Sequence, residues 1–232
     1  MDLSGSVALV TGANRGIGRH FARQLLERGA KKVYATARDP ERIDLPGVER
    51  LRLDITDPAS VTAVAEAAPD VTLLVNNAGV ATYTNLVTGD LDQIRLELDT
   101  NFYGPLRMIR AFAPVLGAGG GGAIVNVLSA LSWFSYDGAN AYAAAKAAAW
   151  SLTNGARLEL RGQGTLVTGV HLGAADTDMM AGYEGDLLDP ADVARAALDG
   201  VAAGAYEVVV DQWSAHVKAS LAGDPRAFYD AA

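Results

Sequence analysis

Three polar side chains in the second half of the chain have the types and spacing for proton transfer. Tyr142 and Lys146 stand four residues apart, which on a helix brings them to one face with a rise of about 6 Å. A lysine ammonium in that place favours the ionised phenol, so we expect it to lower the pKa of the tyrosine from its ordinary value of about 10. Ser129, at the end of a predicted strand, is placed to orient the oxygen that exchanges the proton.

A glycine-rich loop near the start of the chain indicates a nucleotide site. It follows the first predicted strand and opens the first predicted helix, a context that favours phosphate binding over a merely tight turn. Glycines let the backbone approach a pyrophosphate, and the helix N-terminus offers unpaired N–H groups and the positive end of its dipole. The residues expected to contact the nucleotide are Gly12, Asn14, Arg15, Gly16, Ile17 and Gly18. Together with the three polar side chains, this loop predicts hydride transfer from a nicotinamide coupled to proton transfer from the tyrosine.

The end of the second predicted strand bears on the choice of nicotinamide cofactor. An NAD site usually has an acid there to bind the ribose 2′-hydroxyl, but this strand ends without one. Arg38 and Arg15 can instead pair with a 2′-phosphate, which favours NADP(H) over NAD(H), although both could be solvated surface charges. We expect Asp39 to cap the next turn and to point away. Asp54, after the third strand and followed by Ile55, is the predicted partner of the adenine amino group.

Composition limits the other classes of function. Half of the 232 residues are hydrophobic and a fifth are charged, as in a folded globular protein. The net charge of −8 argues against nucleic acid or an anionic membrane as the main partner. The sequence contains no cysteine, which excludes disulfides and thiolate metal sites. We see no metal site, no signal peptide and no membrane helix in the sequence, so a cytoplasmic protein is the expectation.

Apolar runs without polar alternation predict strands that are buried on both faces, as in a parallel sheet between two layers of helices. The runs are 7–10, 32–36, 71–75, 123–127, 165–170 and 207–210. Helical stretches alternate with them almost from end to end. The pattern predicts an α/β protein: a Rossmann-type doubly wound parallel sheet of about seven strands, in a single domain over residues 1–232.

Further signals place the connecting elements. Asp57-Pro58 and Asp189-Pro190 each put a capping acid before a proline that suits the first position of a helix. We expect a lid at about 174–190 and a C-terminal helix and tail at about 212–232. The glycine run at 117–122 is expected to form a turn into the fifth strand.

Together these motifs resemble the short-chain dehydrogenase/reductase family, in its single-domain branch, over roughly residues 4–211. The residues that carry the resemblance are Gly12, Gly16, Gly18, Asn76, Asn77, Ala78, Gly79, Asn101, Ser129, Tyr142 and Lys146. The resemblance implies that Tyr142 is the general acid and base and that Ser129 orients the carbonyl. It also implies that Lys146 binds the nicotinamide ribose, and that Asn101 holds the water of a proton relay.

The same resemblance implies the remaining cofactor contacts. Asn76, Ala78 and Gly79 would line the cofactor, while Asn77 would brace the sheet. Gly173 fits the family pattern after the sixth strand, and Thr177 would reach the nicotinamide carboxamide. Leu172 departs from that pattern because it replaces the usual proline, and we expect the loss of a fixed φ to loosen the lid. His171 is expected to be structural rather than catalytic, because Tyr142 already fills the acid/base role.

The candidate substrate contacts are apolar and aromatic, without clustered arginines or lysines to hold a carboxylate or phosphate. The main candidates are Leu131, Trp133, Tyr136, Met179 and Tyr183, with Val80, Tyr83, Phe134 and Met180 beside them. Any of these could instead belong to the core or to an interface. A small, neutral, apolar ketone or aldehyde, or the matching alcohol, is therefore the predicted substrate.

The leading hypothesis is an NADPH-dependent carbonyl reductase. One alternative is a 3-oxoacyl carrier-protein reductase, which needs a basic surface for its acidic carrier and so fits the net charge less well. Another is a non-catalytic NADP(H)-binding sensor, which the complete set of catalytic residues disfavours. The helix of Tyr142 is rich in alanine, which predicts close packing in a homodimer or homotetramer, or equally within the chain.

Overall fold

A computed structural model of the protein describes residues 1–230, and its centre is a parallel sheet of seven strands. The strands are β1 (Val7–Thr11), β2 (Lys32–Ala37), β3 (Glu49–Arg52), β4 (Leu73–Asn76), β5 (Gly122–Val127), β6 (Thr165–His171) and β7 (Glu207–Val209). Their spatial order is β3-β2-β1-β4-β5-β6-β7, so the direction of winding reverses between β1 and β4. The predicted doubly wound sheet is confirmed, and its switch point is where such sheets bind ligands.

Helices cover both faces of the sheet. They are α1 (Gly16–Glu27), α2 (Pro58–Ala67), α3 (Leu91–Leu98), α4 (Gly104–Ala118), α5 (Asn140–Leu160), α6 (Pro190–Ala202), α7 (Gln212–Ser220) and α8 (Pro225–Tyr229). One wide π turn, Asp99–Tyr103, joins α3 to α4. Short 3-10 turns lie at Pro40–Arg42, Ala130–Ser132, Arg161–Gln163 and Asp178–Met180.

Strand β1 shows how the two layers are built. Successive side chains of a strand point to opposite faces, so Ala8 and Val10 pack with α1 and α6, whereas Leu9 packs against α4. Phe21 of α1 and Phe112 of α4 are fully buried, one in each layer. Burial on both faces explains why the central strands read as continuous apolar runs.

The predicted helix starts are present where the capping acids indicated them. Asp57 accepts a hydrogen bond from the backbone N–H of Ala59 at 2.9 Å, and Asp189 accepts one from Ala191 at 2.7 Å. A proline follows each acid at the first helical position, where its missing N–H costs nothing. Each such cap is worth about 1 kcal/mol.

Two regions differ in detail from the expectation. Strand β4 begins at Leu73 rather than at Val71, and the segment from Gln212 forms two short helices rather than one. Residues 231 and 232, the end of the expected tail, lie outside the described residues. Within 1–230, no helix has the length and apolar character needed to cross a membrane.

Candidate active site

The candidate site lies at the carboxyl edge of the sheet, where loops from four adjacent strands meet. The glycine loop follows β1, residues 77–80 follow β4, Ser129 follows β5, and the stretch 172–177 follows β6. Because parallel strands all end at this edge, residues that are far apart in sequence become neighbours. The predicted motifs, which are far apart along the chain, therefore lie close together in space.

The glycine loop folds tightly enough to exclude side chains. Gly12 and Gly16 have φ values of +67° and +52°, in the left-handed region that favours glycine. A Cβ at Gly18 would overlap the carbonyl oxygen of Gly12 and lie 2.5 Å from the side-chain nitrogen of Asn77. Arg15, which precedes α1, supplies no side-chain cap to the first N–H groups of that helix. The backbone here fits a pyrophosphate on a helix N-terminus.

Asn77 braces this loop against β4, as the family resemblance implied. Its side-chain nitrogen donates to the carbonyl oxygens of Thr11 and Gly12 at 3.0 and 3.3 Å. The hydroxyl of Thr11 accepts from the backbone N–H groups of Asn77 and Ala78. Asn76 is buried and donates to Asn126, while its own side-chain oxygen has no partner among the described residues. An unpaired buried acceptor of this kind fits a ligand that donates a hydrogen bond.

Both arginines expected at the 2′-phosphate lie on the surface near the glycine loop. Arg38 is exposed directly after β2, and Arg15 pairs with Asp178 of the lid at 2.7 Å. The two side chains of that pair are largely exposed, so the pair is worth no more than about 1 kcal/mol. Asp39 accepts a hydrogen bond from the backbone of Glu41 and caps the next turn, as predicted.

Asp54 and Ile55 border the predicted adenine position differently. Asp54 accepts two hydrogen bonds from Thr56, at 2.9 Å from its backbone and 2.7 Å from its hydroxyl. Partial burial opposes ionisation of Asp54, but these bonds and the charges of Arg38 and Arg52 outweigh it and lower the pKa of the carboxyl. The side chain of Ile55 is buried against Gly104, so a cofactor would meet chiefly its backbone.

Lys146 is held inside the site rather than at its surface. Its ammonium donates to the carbonyl oxygen of Val127 at 2.9 Å and lies 5.5 Å from the centre of the Tyr142 ring. Burial lowers the pKa of Lys146 to about 8, and the carboxylate of Glu97 opposes that shift. The lysine therefore remains mostly charged at neutral pH.

The pKa of Tyr142 moves in the direction opposite to the prediction. Burial raises it above its ordinary value, the charge of Glu97 and the nearby Tyr83 add to the rise, and the Ser129 hydroxyl opposes it. The prediction from the lysine spacing alone was wrong because it ignored desolvation and the buried carboxylate. The phenol is consequently protonated at neutral pH, which suits a proton donor.

Ser129 is fixed by its own turn. Its Oγ accepts from the backbone N–H of Leu131 at 3.1 Å, and its backbone N–H donates to Ser132 Oγ at 3.3 Å. Its hydroxyl also interacts with the phenol of Tyr142, and its contact to the carbonyl oxygen of Leu172 is 3.5 Å long. A contact that long leaves the proton available to an oxygen placed nearer.

His171 supports this turn from behind. It is fully buried, its Nδ1 lies 3.1 Å from the carbonyl oxygen of Ser129, and its ring stacks on Trp133 with a centroid distance of 3.8 Å. Burial lowers the pKa of His171 to about 4. A neutral imidazole with a proton on Nδ1 donates to the carbonyl, which fits the expected structural role.

Asn101 lies in the π turn between α3 and α4, a local widening that often marks functional sites. Its side-chain nitrogen donates to the carbonyl of Val80 at 2.9 Å, and its side-chain oxygen accepts from the Val80 N–H at 3.3 Å. A Cβ at Gly79 would lie 2.8 Å from that oxygen and 3.9 Å from the ammonium of Lys146. Glycine at 79 therefore leaves the space between Asn101 and Lys146 open.

Glu97 is a site residue that the sequence did not indicate. It is fully buried one helical turn before Asn101 and accepts a hydrogen bond from the Asn101 side chain at 2.8 Å. Its helix exposes Leu91 and Leu96, the reverse of an ordinary amphipathic pattern. The one signal available was the four-residue spacing between Glu97 and Asn101.

The two ends of the lid are joined to each other by backbone hydrogen bonds. Backbone hydrogen bonds of 2.9 Å join Asp176 to Leu188 and Leu188 to Ala174. Leu172 is buried against Ala175 and Val193, so the residue that replaces the usual proline adds apolar contact. The expected loosening at this position stays a prediction.

The interior of the lid lies over the glycine loop. A Cβ at Gly16 would lie 3.1 Å from the methyl group of Thr177. The hydroxyl of Tyr83, a residue with φ of +53°, donates to the carbonyl of Met179. Gly173 donates its N–H to Asp211 at 2.8 Å, which ties the start of this segment to the cap of α7. The lid thus contacts both the glycine loop and Tyr83, one of the substrate candidates.

The substrate candidates fall into two groups. The exposed ones, which we call the rim, are Tyr83, Tyr136, Met179 and Tyr183. Leu131 is partly buried, whereas Trp133 is only 8% exposed because it stacks on His171. Little of the Trp133 ring is therefore open to a ligand. Among residues 1–230 no cluster of three His, Asp or Glu side chains could hold a metal ion.

Comparisons with known proteins agree with this geometry. Residues 6–187 match the family model described as short chain dehydrogenase. A crystal structure of a short chain dehydrogenase from Burkholderia cenocepacia in complex with NADP is 37% identical, with a TM-score of 0.95 over 99% of this chain and 98% of that one. An uncharacterized oxidoreductase of Staphylococcus saprophyticus is 31% identical over 85% of this chain and 92% of its own length. A 3-oxoacyl-(acyl-carrier-protein) reductase of Vibrio cholerae is 34% identical over 77% of each chain.

Proposed function

The chain belongs to the short chain dehydrogenase family, and on that premise we propose that it is an NADPH-dependent carbonyl reductase. The proposed reaction converts a small apolar ketone or aldehyde to an alcohol, reversibly. It uses one active site built on a single domain. The observation that carries the proposal is the convergence of Ser129, Tyr142, Lys146 and Asn101 beside a glycine loop at one edge of the sheet.

NADP(H) is the cofactor, and the residues present fit it. The backbone of the glycine loop and the start of α1 would hold the pyrophosphate, while Arg38 and Arg15 would hold the 2′-phosphate. Lys146 would bind the nicotinamide ribose. When bound, NADPH supplies a hydride to the carbonyl carbon. The relative from Burkholderia cenocepacia, whose structure is a complex with NADP, supports this assignment.

Tyr142 would donate the proton that balances the hydride. The phenol is protonated at neutral pH because burial and Glu97 raise its pKa. Ser129 would hydrogen-bond to the carbonyl oxygen and aim it at the phenol, because its hydroxyl lies within reach of Tyr142 and its contact to Leu172 is long. A positioned general acid of this kind contributes about 10²–10⁴-fold to a rate. Proton return through Lys146 and a water held by Asn101 stays a prediction from the family.

The apolar rim supports an apolar substrate. Tyr83, Tyr136 and Tyr183 are exposed and would present ring surface to a substrate, and Met179 would add a flexible apolar chain. The 34% identity to a 3-oxoacyl carrier-protein reductase favours a second candidate, in which the acyl carrier docks at this rim. The net charge of −8 disfavours it because an acidic carrier needs a basic surface.

Assembly and location remain proposals. We propose a homodimer or homotetramer, although Ala141, Ala143, Ala145 and Ala149 of α5 are already buried within the chain. Only the partly exposed alanines of that helix, at 144, 147 and 148, remain for a second subunit. The expected cytoplasmic location also stays a prediction.

Consumption of NADPH measured by absorbance across a panel of apolar ketones and aldehydes tests the proposed function. A 3-oxoacyl thioester, free and carrier-bound, belongs in the same panel, with NADH in parallel. Turnover of apolar carbonyls with NADPH supports the proposal. Turnover confined to the carrier-bound thioester would replace it with the second candidate. Binding of NADPH without turnover of any compound would contradict both.

A further inference from the structure

A fully buried carboxyl group lies directly behind the proposed catalytic residues. Glu97 has no exposed surface, whereas Leu91 and Leu96 of the same helix are exposed. Burying an ionisable carboxyl is unfavourable unless the fold supplies hydrogen bonds or opposite charge. An apolar side chain at this position would be buried without that penalty. The stability of the fold therefore does not explain why a carboxyl group is buried here.

The hydrogen bonds of Glu97 use both of its oxygens. Oε1 accepts from the backbone N–H of Thr82, and from the Thr82 hydroxyl at 3.0 Å. Oε2 accepts from the side-chain nitrogen of Asn101 at 2.8 Å. Glu97 therefore ties the segment after Gly79 to the π turn that carries Asn101.

This arrangement permits one orientation of the Asn101 amide. Its nitrogen faces two acceptors, Glu97 Oε2 and the Val80 carbonyl, while its oxygen accepts from the Val80 N–H. A flipped amide would place its oxygen against both acceptors and lose all three bonds. The favoured orientation directs the amide oxygen to the gap at Gly79, beside Lys146.

The charge of Glu97 also acts on Lys146 and Tyr142, the two side chains of the site that carry a proton. Its charge raises the pKa of both Lys146 and Tyr142, and the charge of Lys146 acts on Glu97 in return. Tyr83 is the further titratable group that acts on Tyr142. Burial raises the pKa of Glu97 itself. The carboxylate thus favours the protonated forms of the lysine and the phenol.

We propose that Glu97 is a positioning residue for the reaction. Its carboxylate fixes the amide of Asn101 and supplies the negative charge behind Lys146 and Tyr142, which holds the site in the proton-loaded form used for carbonyl reduction. This role rests on the proposed function, because it acts through the residues assigned there.

The variant Glu97→Gln tests the proposal. An amide cannot accept from Asn101 and from the Thr82 N–H at once, because one of its two ends is a donor. We expect kcat for ketone reduction to fall about tenfold or more while the Kd for NADPH stays within about twofold. The alkaline limb of the kcat profile should move down by about one pH unit, because both Lys146 and Tyr142 lose the nearby charge.

Asp99→Asn is the matched control. Asp99 lies in the same π turn, but its carboxylate pairs with Arg107 at 2.7 Å. We expect this variant to keep the wild-type kcat and pH profile. Glu97→Asp keeps the charge but is one methylene too short to reach Asn101, so it should lose kcat without the full shift in pH. It also replaces Glu97→Gln as the test should that variant not fold.

A second readout does not need turnover. Ultraviolet difference absorbance, read against Tyr142→Phe with NADP⁺ present, follows the ionisation of this single phenol. Tyr142 should ionise at lower pH in Glu97→Gln than in the wild type. The protein could show this shift in the ionisation of Tyr142 and yet reduce no ketone. That result would support the effect of Glu97 on Tyr142 and would contradict the proposed function. A Glu97→Gln variant with wild-type kcat, pH profile and phenol ionisation would overturn the inference.

Discussion

The nucleotide side and the substrate side of the site are built by different means. On the nucleotide side, backbone groups form the surface: Gly12 and Gly16 have positive φ, and Gly18 has no room for a side chain. On the proposed substrate side, the candidate residues are exposed side chains such as Tyr83 and Tyr136. A backbone surface constrains the residue types that can build it, whereas a rim of side chains accepts many. The sequence therefore predicts the type of cofactor better than it predicts the substrate.

Within this comparison, the largest effect is expected on the nucleotide side. In Gly18→Ala the new Cβ overlaps the Gly12 carbonyl and approaches the Asn77 side chain, so the loop must open. We expect stability to fall by about 2 kcal/mol or more and NADPH affinity to fall at least tenfold. Thermal unfolding and titration with NADPH measure the two.

Gly155→Ala is the control for that prediction. Gly155 lies within α5, and a Cβ there meets no atom within 4 Å. Alanine should stabilise the helix by about 0.5–1 kcal/mol and leave NADPH binding unchanged. Equal effects of the two substitutions would show that the loop tolerates a side chain and would remove the contrast between the two sides.

A smaller effect separates the two cofactors. Arg38→Ala should weaken NADPH binding about tenfold or more and leave NADH binding unchanged, because a charge-assisted hydrogen bond to the 2′-phosphate is lost. Arg15→Ala should have a weaker effect, since that guanidinium must first leave Asp178. Titration of each variant with both cofactors measures this. An equal loss for NADH and NADPH would show that neither arginine reads the 2′-phosphate.

The third effect is on stability at acid pH, and it concerns the support of the proposed substrate side. His171 is buried with a pKa of about 4, below its ordinary value of about 6.5. The unfolded chain therefore binds more protons between these values, and stability falls as the pH is lowered through that window. We expect a contribution of about 2 kcal/mol between pH 7 and pH 5. Urea unfolding at both pH values measures it.

His171→Gln isolates this contribution, because glutamine can still donate to the Ser129 carbonyl but does not titrate. The variant should lose less stability than the wild type when the pH is lowered from 7 to 5. An identical loss in both proteins would assign the pH dependence to other groups.

The fold was predictable because most strands are apolar runs between helices with clear capping signals. Strand β3 is the exception: it reads Glu-Arg-Leu-Arg, with three of its four residues exposed at the sheet edge, and no apolar run marks it. Its place was implied only by Asp54, which follows it. Edge strands of this kind escape a reading based on hydrophobic pattern.

The sequence motifs predicted which residues come together at the candidate site. They did not predict the properties that depend on burial, such as pKa values and the exposure of side chains. Spacing brings Lys146 to Tyr142, but it says nothing of desolvation, and so the predicted direction of the tyrosine pKa was wrong. Glu97 was not predicted because tertiary packing buries it while Leu91 and Leu96 of the same helix are exposed, the reverse of what residue polarity indicates. The aromatic Trp133 reads as a pocket residue, yet its ring is buried against His171.

The measurement that tests the proposed chemistry most directly is single-turnover reduction of an apolar ketone by Tyr142→Phe. The substitution removes one hydroxyl and keeps the ring. We expect the rate of NADPH oxidation to fall by about 10³-fold or more, while the Kd for NADPH stays within about twofold. Retention of the wild-type rate would show that the proton comes from another group, and it would contradict the central role assigned to Tyr142.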